Sequence, residues 1–199
     1  MTPLRLSFAV AAILMAGATS ACALDITGVL TAPKTLVDRA IEARSTEDIA
    51  KDNEIVVKVN GVMGKYGTIK ASTEIYEQRL LVTGLFNDKA TYDGFEKDVR
   101  GVAGVRKLYW HVRYMSDADQ KKAGLLDWPD VLVMSEKAQA RLVGTAGVAD
   151  VNYRTAADSS GTVYIIGRAR SQEEHGKALA RVKDGDGVKK VVDYVDVRP

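Results

Sequence analysis

Few residues in this sequence have the side-chain chemistry of an active site or a metal site. The 199 residues include two histidines, His111 and His175, and one cysteine, Cys22. The histidines fall in different predicted elements, a strand and a helix, whereas a zinc site needs three or four nitrogen, sulfur or carboxylate ligands together. We therefore expect no metal centre, and we expect His111 to lie on a sheet face.

Two glycine-containing motifs resemble known ligand loops but lack the remaining parts. Residues 184–187 (Asp-Gly-Asp-Gly) begin like a calcium loop, but its twelfth position is Val195, where calcium loops carry a bidentate glutamate. The Gly-x-x-Gly pairs at 61–64 and 144–147 are spaced like the clamp of an RNA-binding domain, but lack basic surroundings. We expect these pairs to end helices. With no nucleophile elbow, phosphate loop or dinucleotide fingerprint, the sequence predicts a protein that is not an enzyme and has no cofactor.

The first 23 residues have the pattern of an export signal. Arg5 is followed by an apolar run over residues 6–18, which ends in small residues and is too short to span a bilayer. We therefore predict a signal peptide over residues 1–23 and an exported protein.

Cys22 lies directly after this apolar run, and two interpretations of it are open. Residues 19–22 (Thr-Ser-Ala-Cys) resemble the lipobox of bacterial lipoproteins, although Thr19 stands where leucine is usual. Residues 21–23 (Ala-Cys-Ala) also fit ordinary signal peptidase, which would give a mature start at Leu24. We favour a lipidated Cys22, because a lone cysteine seldom falls at this place by chance. The protein would then be periplasmic, anchored to the inner leaflet of the outer membrane.

The mature sequence is a tandem duplication. Gly84 and Gly167 are 83 positions apart, and so are Gly104 and Gly187. A glycine kept in register usually answers a backbone requirement, so we expect all four to be structural. The repeat predicts a first unit over residues 46–115 and a second over residues 116–199, after a tether and short helix at residues 24–45.

Periodicity predicts the same order of elements, α-β-β-α-β, in both units. Each unit would be a small sheet with helices on one face, which gives an α+β fold. In the first unit the elements are expected at 46–61, 68–76, 79–86, 89–100 and 105–114. In the second, after a short helix at 117–124, they are expected at 129–143, 150–157, 162–169, 171–183 and 187–198.

Two segments of each unit resemble the BON domain, named after bacterial OsmY and nodulation proteins. They are a hairpin arm ending in hydrophobic-x-Gly, at 80–84 and 163–167, and a Gly-Val-x-x-hydrophobic segment, at 104–108 and 187–191. The first hairpin departs from the pattern, because Glu77-Gln78 replaces an Asn-Gly type of turn. Two such units behind a leader resemble the dual-BON periplasmic proteins and lipoproteins of Gram-negative bacteria.

This resemblance implies a non-enzymatic envelope protein that associates with phospholipid and supports outer-membrane integrity under stress. The alternative is a periplasmic adaptor whose sheet faces bind an envelope partner. Nucleic acid is an unsuitable partner, since the formal charge is only +2.

Aromatic, apolar and cationic residues in the second unit form the expected membrane or partner contact. The helix that opens at Trp128 carries more apolar residues than a one-faced helix needs, and two lysines precede it. Such residues are favoured where a membrane meets water, and anionic phospholipid would attract the lysines. The expected contact set is Trp128, Val131, Leu132, Met134, Lys121, Lys122 and, from the first unit, Trp110. The alternative, which we favour for the apolar surplus itself, is that it packs against the first unit.

Overall fold

The computed structural model of the protein describes residues 41–67 and 70–199. The predicted signal peptide, Cys22 and the tether up to residue 40 lie outside the described residues.

The described chain folds into two units with the same order of elements. The first contains α1 (Thr46–Lys65), β1 (Ala71–Tyr76), β2 (Arg79–Phe86), α2 (Lys89–Arg100) and β3 (Lys107–Tyr114). The second contains α3 (Asp117–Lys122), α4 (Trp128–Leu142), β4 (Tyr153–Ala157), β5 (Thr162–Ala169), α5 (Gln172–Lys183) and β6 (Lys190–Val197). The predicted α+β class is confirmed.

Helix starts follow the polar side chains that precede them, but one predicted helix end is wrong. Ser45, Asp88 and Ser171 accept a hydrogen bond from a backbone N–H in the first turn of α1, α2 and α5. The pair at 61–64 does not end its helix, because α1 continues to Lys65. The apolar residues beside these glycines pack against the first core, so tertiary contacts outweigh the low helix propensity of glycine.

Each sheet has three strands, with the middle strand supplied by the second arm of the hairpin. The orders are β1-β2-β3 and β4-β5-β6, and in each the first pair is antiparallel and the second parallel. A parallel pair needs a crossover connection, and α2 and α5 provide it. The strand β2 is buried along its whole length, so both faces of its sheet are covered.

One face of each sheet is covered by helices, which gives each unit its own core. In the first unit, α1 and α2 place Ile55, Val59, Phe95 and Val99 against the sheet residue Val82. In the second unit, the corresponding buried residues are Val131, Leu142, Ile165, Ala178 and Val182.

The opposite faces of the two sheets pack against each other and form what we call the inter-sheet seam. Tyr76 and Leu81 of the first sheet meet Tyr164 and Ile166 of the second, and all four are buried. The rings of Tyr109 and Tyr194 stack across the seam with centroids 3.8 Å apart. The molecule is therefore layered as helices, sheet, sheet and helices, and the sheet faces expected to bind a partner in the adaptor alternative cover each other.

Arg79 adds a polar tie across the seam. Its Nη2 donates to the carbonyl oxygen of Gly167 at 2.7 Å, and its Nη1 donates to that of Tyr194 at 2.9 Å. The same guanidinium lies 3.2 Å from a carboxylate oxygen of Asp196. A buried cation bonded to backbone groups of the other unit fixes the two sheets in one relative position.

Residues 41–45, which we call the clasp, join the two units before α1 begins. The side chain of Asn152 accepts from the N–H of Ala43 at 2.7 Å and donates to the carbonyl of Ile41 at 3.0 Å. Arg168 donates to the carbonyl of Ala43 at 3.0 Å. The last part of the predicted tether is thus packed between the units.

The first hairpin turn is held by a buried carboxylate of α1. Glu77 and Gln78 both have a left-handed backbone, with φ values of 51° and 57°. Asp52 has no exposed surface and accepts from their N–H groups at 2.9 and 2.6 Å, while Arg44 donates to it at 3.0 Å. These bonds offset the cost of a left-handed conformation in residues other than glycine, which explains the departure from an Asn-Gly turn.

Between equivalent strand pairs the second hairpin is one residue longer than the first, and hydrogen bonds within its own loop hold it. Asp158 Oδ1 accepts from the N–H groups of Ser160 and Thr162, and Gly161 takes a left-handed φ of 83°. The first strands of the two hairpins are consequently 82 positions apart rather than 83, since Ala71 pairs with Gly84 and Tyr153 with Gly167.

The four paired glycines each answer a backbone requirement. Gly104 and Gly187 have left-handed φ values of 99° and 77°. A Cβ on Gly84 would lie 2.6 Å from the carbonyl oxygen of Lys70, and one on Gly167 would lie 2.1 Å from that of Asn152. The first strand of each hairpin crosses so closely over its partner that only glycine fits there.

Stability should fall as the pH rises from about 4.5 to 7, because of Glu74. Partial burial beside the seam raises the pKa of Glu74 to about 7, against the opposing effect of Arg154 on β4. The folded state therefore holds a proton that the unfolded chain releases near its ordinary pKa, so the stabilisation present below pH 4.5 disappears by about pH 7. One pKa unit corresponds to about 1.4 kcal/mol, so we expect a loss of about 1–3 kcal/mol across this range.

Urea unfolding between pH 4 and 8 measures this effect, with Glu74→Gln as the test variant. The Gln variant should lack the decline between pH 4.5 and 7, whereas Glu47→Gln, at an exposed site on α1, should keep it. An unchanged decline in Glu74→Gln would assign the effect to another group.

Candidate binding cleft between the two units

A cleft of about 320 Å³ opens where the first unit meets the start of the second. The first unit contributes Lys70 and Leu85, and the second contributes α3, the loop after it, the start of α4 and the hairpin residue Ser159. Its volume is at the lower end of the range of about 300–1,000 Å³ found for small-ligand pockets.

The connection between the units is fixed at both ends, and this shapes the cleft. At its beginning, the N–H of Met115 donates to the carbonyl of Phe86 at 2.9 Å. The side chain of Asn87 also donates to Asp117 at 2.8 Å. At its end, the N–H of Leu126 donates to the carbonyl of Ser159 at 2.8 Å. The intervening α3 is therefore held in place and forms one wall of the cleft.

Trp128 and three leucines form the apolar part of the cleft. Trp128 is the first residue of α4, and its half-buried ring packs against the second core together with Leu126. Leu125 and Leu126 come from the loop after α3, and Leu85 from β2 of the first unit. The Trp128 ring is thus partly packed in the second core while it also lines the cleft.

Charged residues of both signs line the same cleft. Lys70, Lys121 and Asp127 are exposed, and none has an ion-pair partner within 4 Å among the described residues. Asp117 also lines the cleft, where its carboxylate accepts the bond from Asn87. The lining therefore combines two cations, two carboxylates and an aromatic ring.

The structure brings only part of the expected contact set together. Trp128 and Lys121 line the cleft, and the exposed Lys122 follows on the same short helix. Leu132 and Met134 are half-buried on α4 and do not line the cleft.

Val131 is wrong as a contact residue. Its side chain has no exposed surface and lies in the core of the second unit. The apolar surplus of α4 is in part explained by this core, rather than by packing on the first unit or on a membrane.

Trp110 belongs to a separate aromatic group on the first unit. Its ring packs tilted against Phe95 with centroids 5.7 Å apart, and its indole N–H donates to the hydroxyl of Tyr92 at 3.3 Å. The positions 83 residues later hold His175 and Asp193, whose Nε2 and Oδ2 are 2.8 Å apart. An aromatic pair in one unit is thus an exposed polar pair in the other.

Sequence reasoning missed Lys70, Leu85 and Asp127. Lys70 and Leu85 join the site only because the two units pack together, and no pattern along the chain marks that. Asp127 had a local signal, since it stands as a helix N-cap before a tryptophan and a proline.

Residues 41–67 and 70–199 contain neither a candidate membrane span nor a candidate metal site. No helix in these ranges has the length and apolar content needed to cross a membrane. No group of three metal-binding side chains occurs in them either.

Comparisons with known proteins give little direct information about this chain. No family model matches it. It is 27% identical over 148 residues to an uncharacterized protein in the gshII 5′ region of Anaplasma centrale, covering 74% of this chain and 95% of that protein.

Two solved structures of CdsD, a structural protein of the type III secretion system of Chlamydia trachomatis, show a distant likeness. One matches at 10% identity with a TM-score of 0.30, covering 73% of this chain and 93% of that chain. The other is its C-terminal domain, at 9% identity with a TM-score of 0.31, covering 73% and 97%. A TM-score this low supports no conclusion about this chain.

Proposed function

We propose that this protein is a non-enzymatic cell-envelope protein whose two BON-like units associate with the surface of a phospholipid membrane and support outer-membrane integrity. The observation that carries the proposal is the cleft, which combines the Trp128 ring, three leucines and two lysines that have no ion-pair partner among the described residues. Amphipathic aromatic rings are favoured at the membrane–water interface. Each lysine near an anionic surface contributes about 1 kcal/mol of attraction.

The BON-like assignment of the units is supported by topology and by the paired glycines. Both units have the order α-β-β-α-β that the family resemblance implies. The glycine of each hydrophobic-x-Gly segment, Gly84 or Gly167, lies where the first hairpin strand crosses its partner. The motifs are therefore explained as requirements of the fold, which leaves the surfaces to carry the function.

The cleft would act together with the lipid anchor that we expect at Cys22. A single attachment at the N-terminus leaves the globular part free to turn away from the bilayer. A second, weaker contact is strengthened by the high effective concentration that the anchor provides. An affinity too weak to hold a soluble protein is then sufficient to orient an anchored one.

In the adaptor alternative a partner would bind the sheet faces, but these faces are covered. The sheet faces that would bind a partner form the inter-sheet seam, and Tyr76, Leu81 and Ile166 within it are at most 2% exposed. No other observation on the described residues favours a protein partner over a membrane, so we keep the membrane proposal.

Reversing the charge of the cleft lysines should weaken binding to anionic vesicles. In the unlipidated chain beginning at Leu24, Lys70→Glu with Lys121→Glu removes two attractions and adds two repulsions. We expect the apparent Kd for phosphatidylglycerol-containing vesicles to rise about 10- to 100-fold, since 1.4 kcal/mol corresponds to a factor of ten. Vesicle sedimentation measures this change.

The matched control is Lys97→Glu with Lys183→Glu, which makes the same charge change at exposed sites on α2 and α5. These lysines do not line the cleft, so this variant should lose much less affinity. Equal losses in the two double variants would show a diffuse charge effect and remove the cleft from the proposal. Lysines make a better test than Trp128, whose ring also packs against a core.

A further inference from the structure

Given the membrane association proposed above, we propose that the cleft selects a zwitterionic phosphoethanolamine headgroup, with its lysines on the phosphate and Asp127 on the primary ammonium. This assigns a lipid class to the site, whereas general attraction to a membrane requires only cations.

Asp127 is a helix N-cap residue whose carboxylate does not cap its helix. A capping side chain accepts from the N–H of the second or third residue of the helix. The second residue of α4 is Pro129, which has no N–H, and the third is Asp130, whose own charge repels a carboxylate. The Asp127 side chain makes no cap hydrogen bond and lines the cleft instead.

The balance of charge in the cleft favours a ligand that carries both signs. Lys70 and Lys121 face the same space as Asp127 and Asp117, so the charged lining is neutral in sum. A purely anionic headgroup would bring its charge towards two carboxylates as well as two lysines. A zwitterion satisfies both sets, because its phosphate accepts from the lysines and its ammonium donates to Asp127.

The ammonium group should be primary rather than quaternary. A carboxylate such as Asp127 accepts hydrogen bonds, and a primary ammonium has three N–H donors whereas a trimethylammonium has none. Quaternary ammonium groups are recognised by cages of several aromatic rings, and among the described residues Trp128 is the one aromatic residue that lines this cleft. The Trp128 ring still contributes a cation–π contact at the cleft wall.

The size of the cleft fits a headgroup and excludes a whole lipid. A volume of about 320 Å³ accommodates a small polar ligand, while acyl chains would remain in the bilayer. The leucines at the cleft then meet the glycerol region of the lipid.

Vesicles of three compositions test the inference on the unlipidated chain. They are phosphatidylcholine alone, phosphatidylcholine with phosphatidylethanolamine, and phosphatidylcholine with phosphatidylglycerol. Wild-type protein should bind the ethanolamine vesicles at least fivefold more tightly than pure phosphatidylcholine. In Asp127→Asn this ratio should fall to about one, while binding to the phosphatidylglycerol vesicles should strengthen, because a negative charge is removed. A folding defect does not produce effects of opposite sign.

Glu136→Gln is the matched control, since it removes one negative charge from an exposed site on the same helix. It does not line the cleft and should keep the preference for ethanolamine. Soluble glycerophosphoethanolamine should displace wild-type protein from the ethanolamine vesicles. Failure to displace it would assign the preference to bilayer packing and overturn the inference.

The outcomes separate this inference from the proposed function. If wild-type protein binds phosphatidylglycerol vesicles but shows no ethanolamine preference, or if Asp127→Asn keeps that preference, the headgroup inference is wrong and membrane association stands. If no composition is bound, the proposed function is wrong as well.

Discussion

Asp52→Ala should lower the free energy of unfolding by about 3–5 kcal/mol, because two backbone N–H groups lose their acceptor, at about 1–3 kcal/mol each, and a buried ion pair loses one carboxylate. Asp52 has no exposed surface, and its loss leaves the buried Arg44 with Glu42, 2.8 Å away, as a remaining carboxylate partner. It also leaves the N–H groups of Glu77 and Gln78 without their acceptor, in a turn whose backbone is already left-handed. At about 2–4 °C per kcal/mol for a chain of this size, Tm should fall by about 6–20 °C.

Ser135→Ala is the control, because Ser135 lies 83 positions after Asp52 and also accepts a hydrogen bond from the hairpin of its own unit. It does so with a neutral hydroxyl and from one N–H group rather than two. The Ser135 hydroxyl accepts from the N–H of Ala157 at 2.8 Å, at the hairpin of the second unit. Loss of one neutral hydrogen bond costs about 1 kcal/mol. Circular dichroism melts of both variants decide the matter, and equal melting temperatures would mean that the Arg44–Asp52 pair does not hold the first hairpin.

Gly167→Ala should destabilise the protein by about 3 kcal/mol, although it adds one carbon atom. That carbon would lie 2.1 Å from the carbonyl oxygen of Asn152 and 2.9 Å from Cα of Tyr153, both of which are backbone atoms. The backbone of Asn152 is poorly placed to move, because its side chain holds the clasp on both sides. Overpacking of a fixed core typically costs about 1–3 kcal/mol, and a contact this short belongs at the upper end.

Gly84→Ala should have a smaller effect, since its nearest backbone atom is 2.6 Å away rather than 2.1 Å. Gly176→Ala, in α5 with no atom within 4 Å of the added carbon, should be neutral or stabilising by up to about 1 kcal/mol. Chemical denaturation gives the three values. A Gly167 variant as stable as the Gly176 variant would refute the steric requirement.

Local patterns in the sequence were sufficient to predict the elements and the repeat. The helix predicted at 89–100 and the strands predicted at 79–86 and 162–169 have the same bounds in the structure. In these segments the capping residues, the spacing of the apolar residues and the hairpin turns all indicate the same bounds. The paired glycines lie at left-handed turns or at close backbone approaches, and such a backbone requirement leaves its mark on the residue type itself.

Long-range packing accounts for the structural features that the local sequence patterns did not predict. The apolar residues near Gly61 pack against the first core, so α1 continues beyond both of its glycines. The apolar Val131 is buried in the second core. The cleft could not be predicted from the sequence either, because it depends on how the two units pack. Lys70 and Asp127 are far apart in the sequence, and only the packing of the units brings both to one cleft.

The clasp determines when, during folding, the first unit can make its last contacts. It joins Ala43 to Asn152 and Arg168, which follow it by 109 and 125 residues. Since synthesis proceeds from the N-terminus, the segment that emerges early must wait for the second hairpin before its bonds can form. Contacts of such long sequence separation slow folding. The first unit is therefore completed only after the hairpin of the second unit has formed.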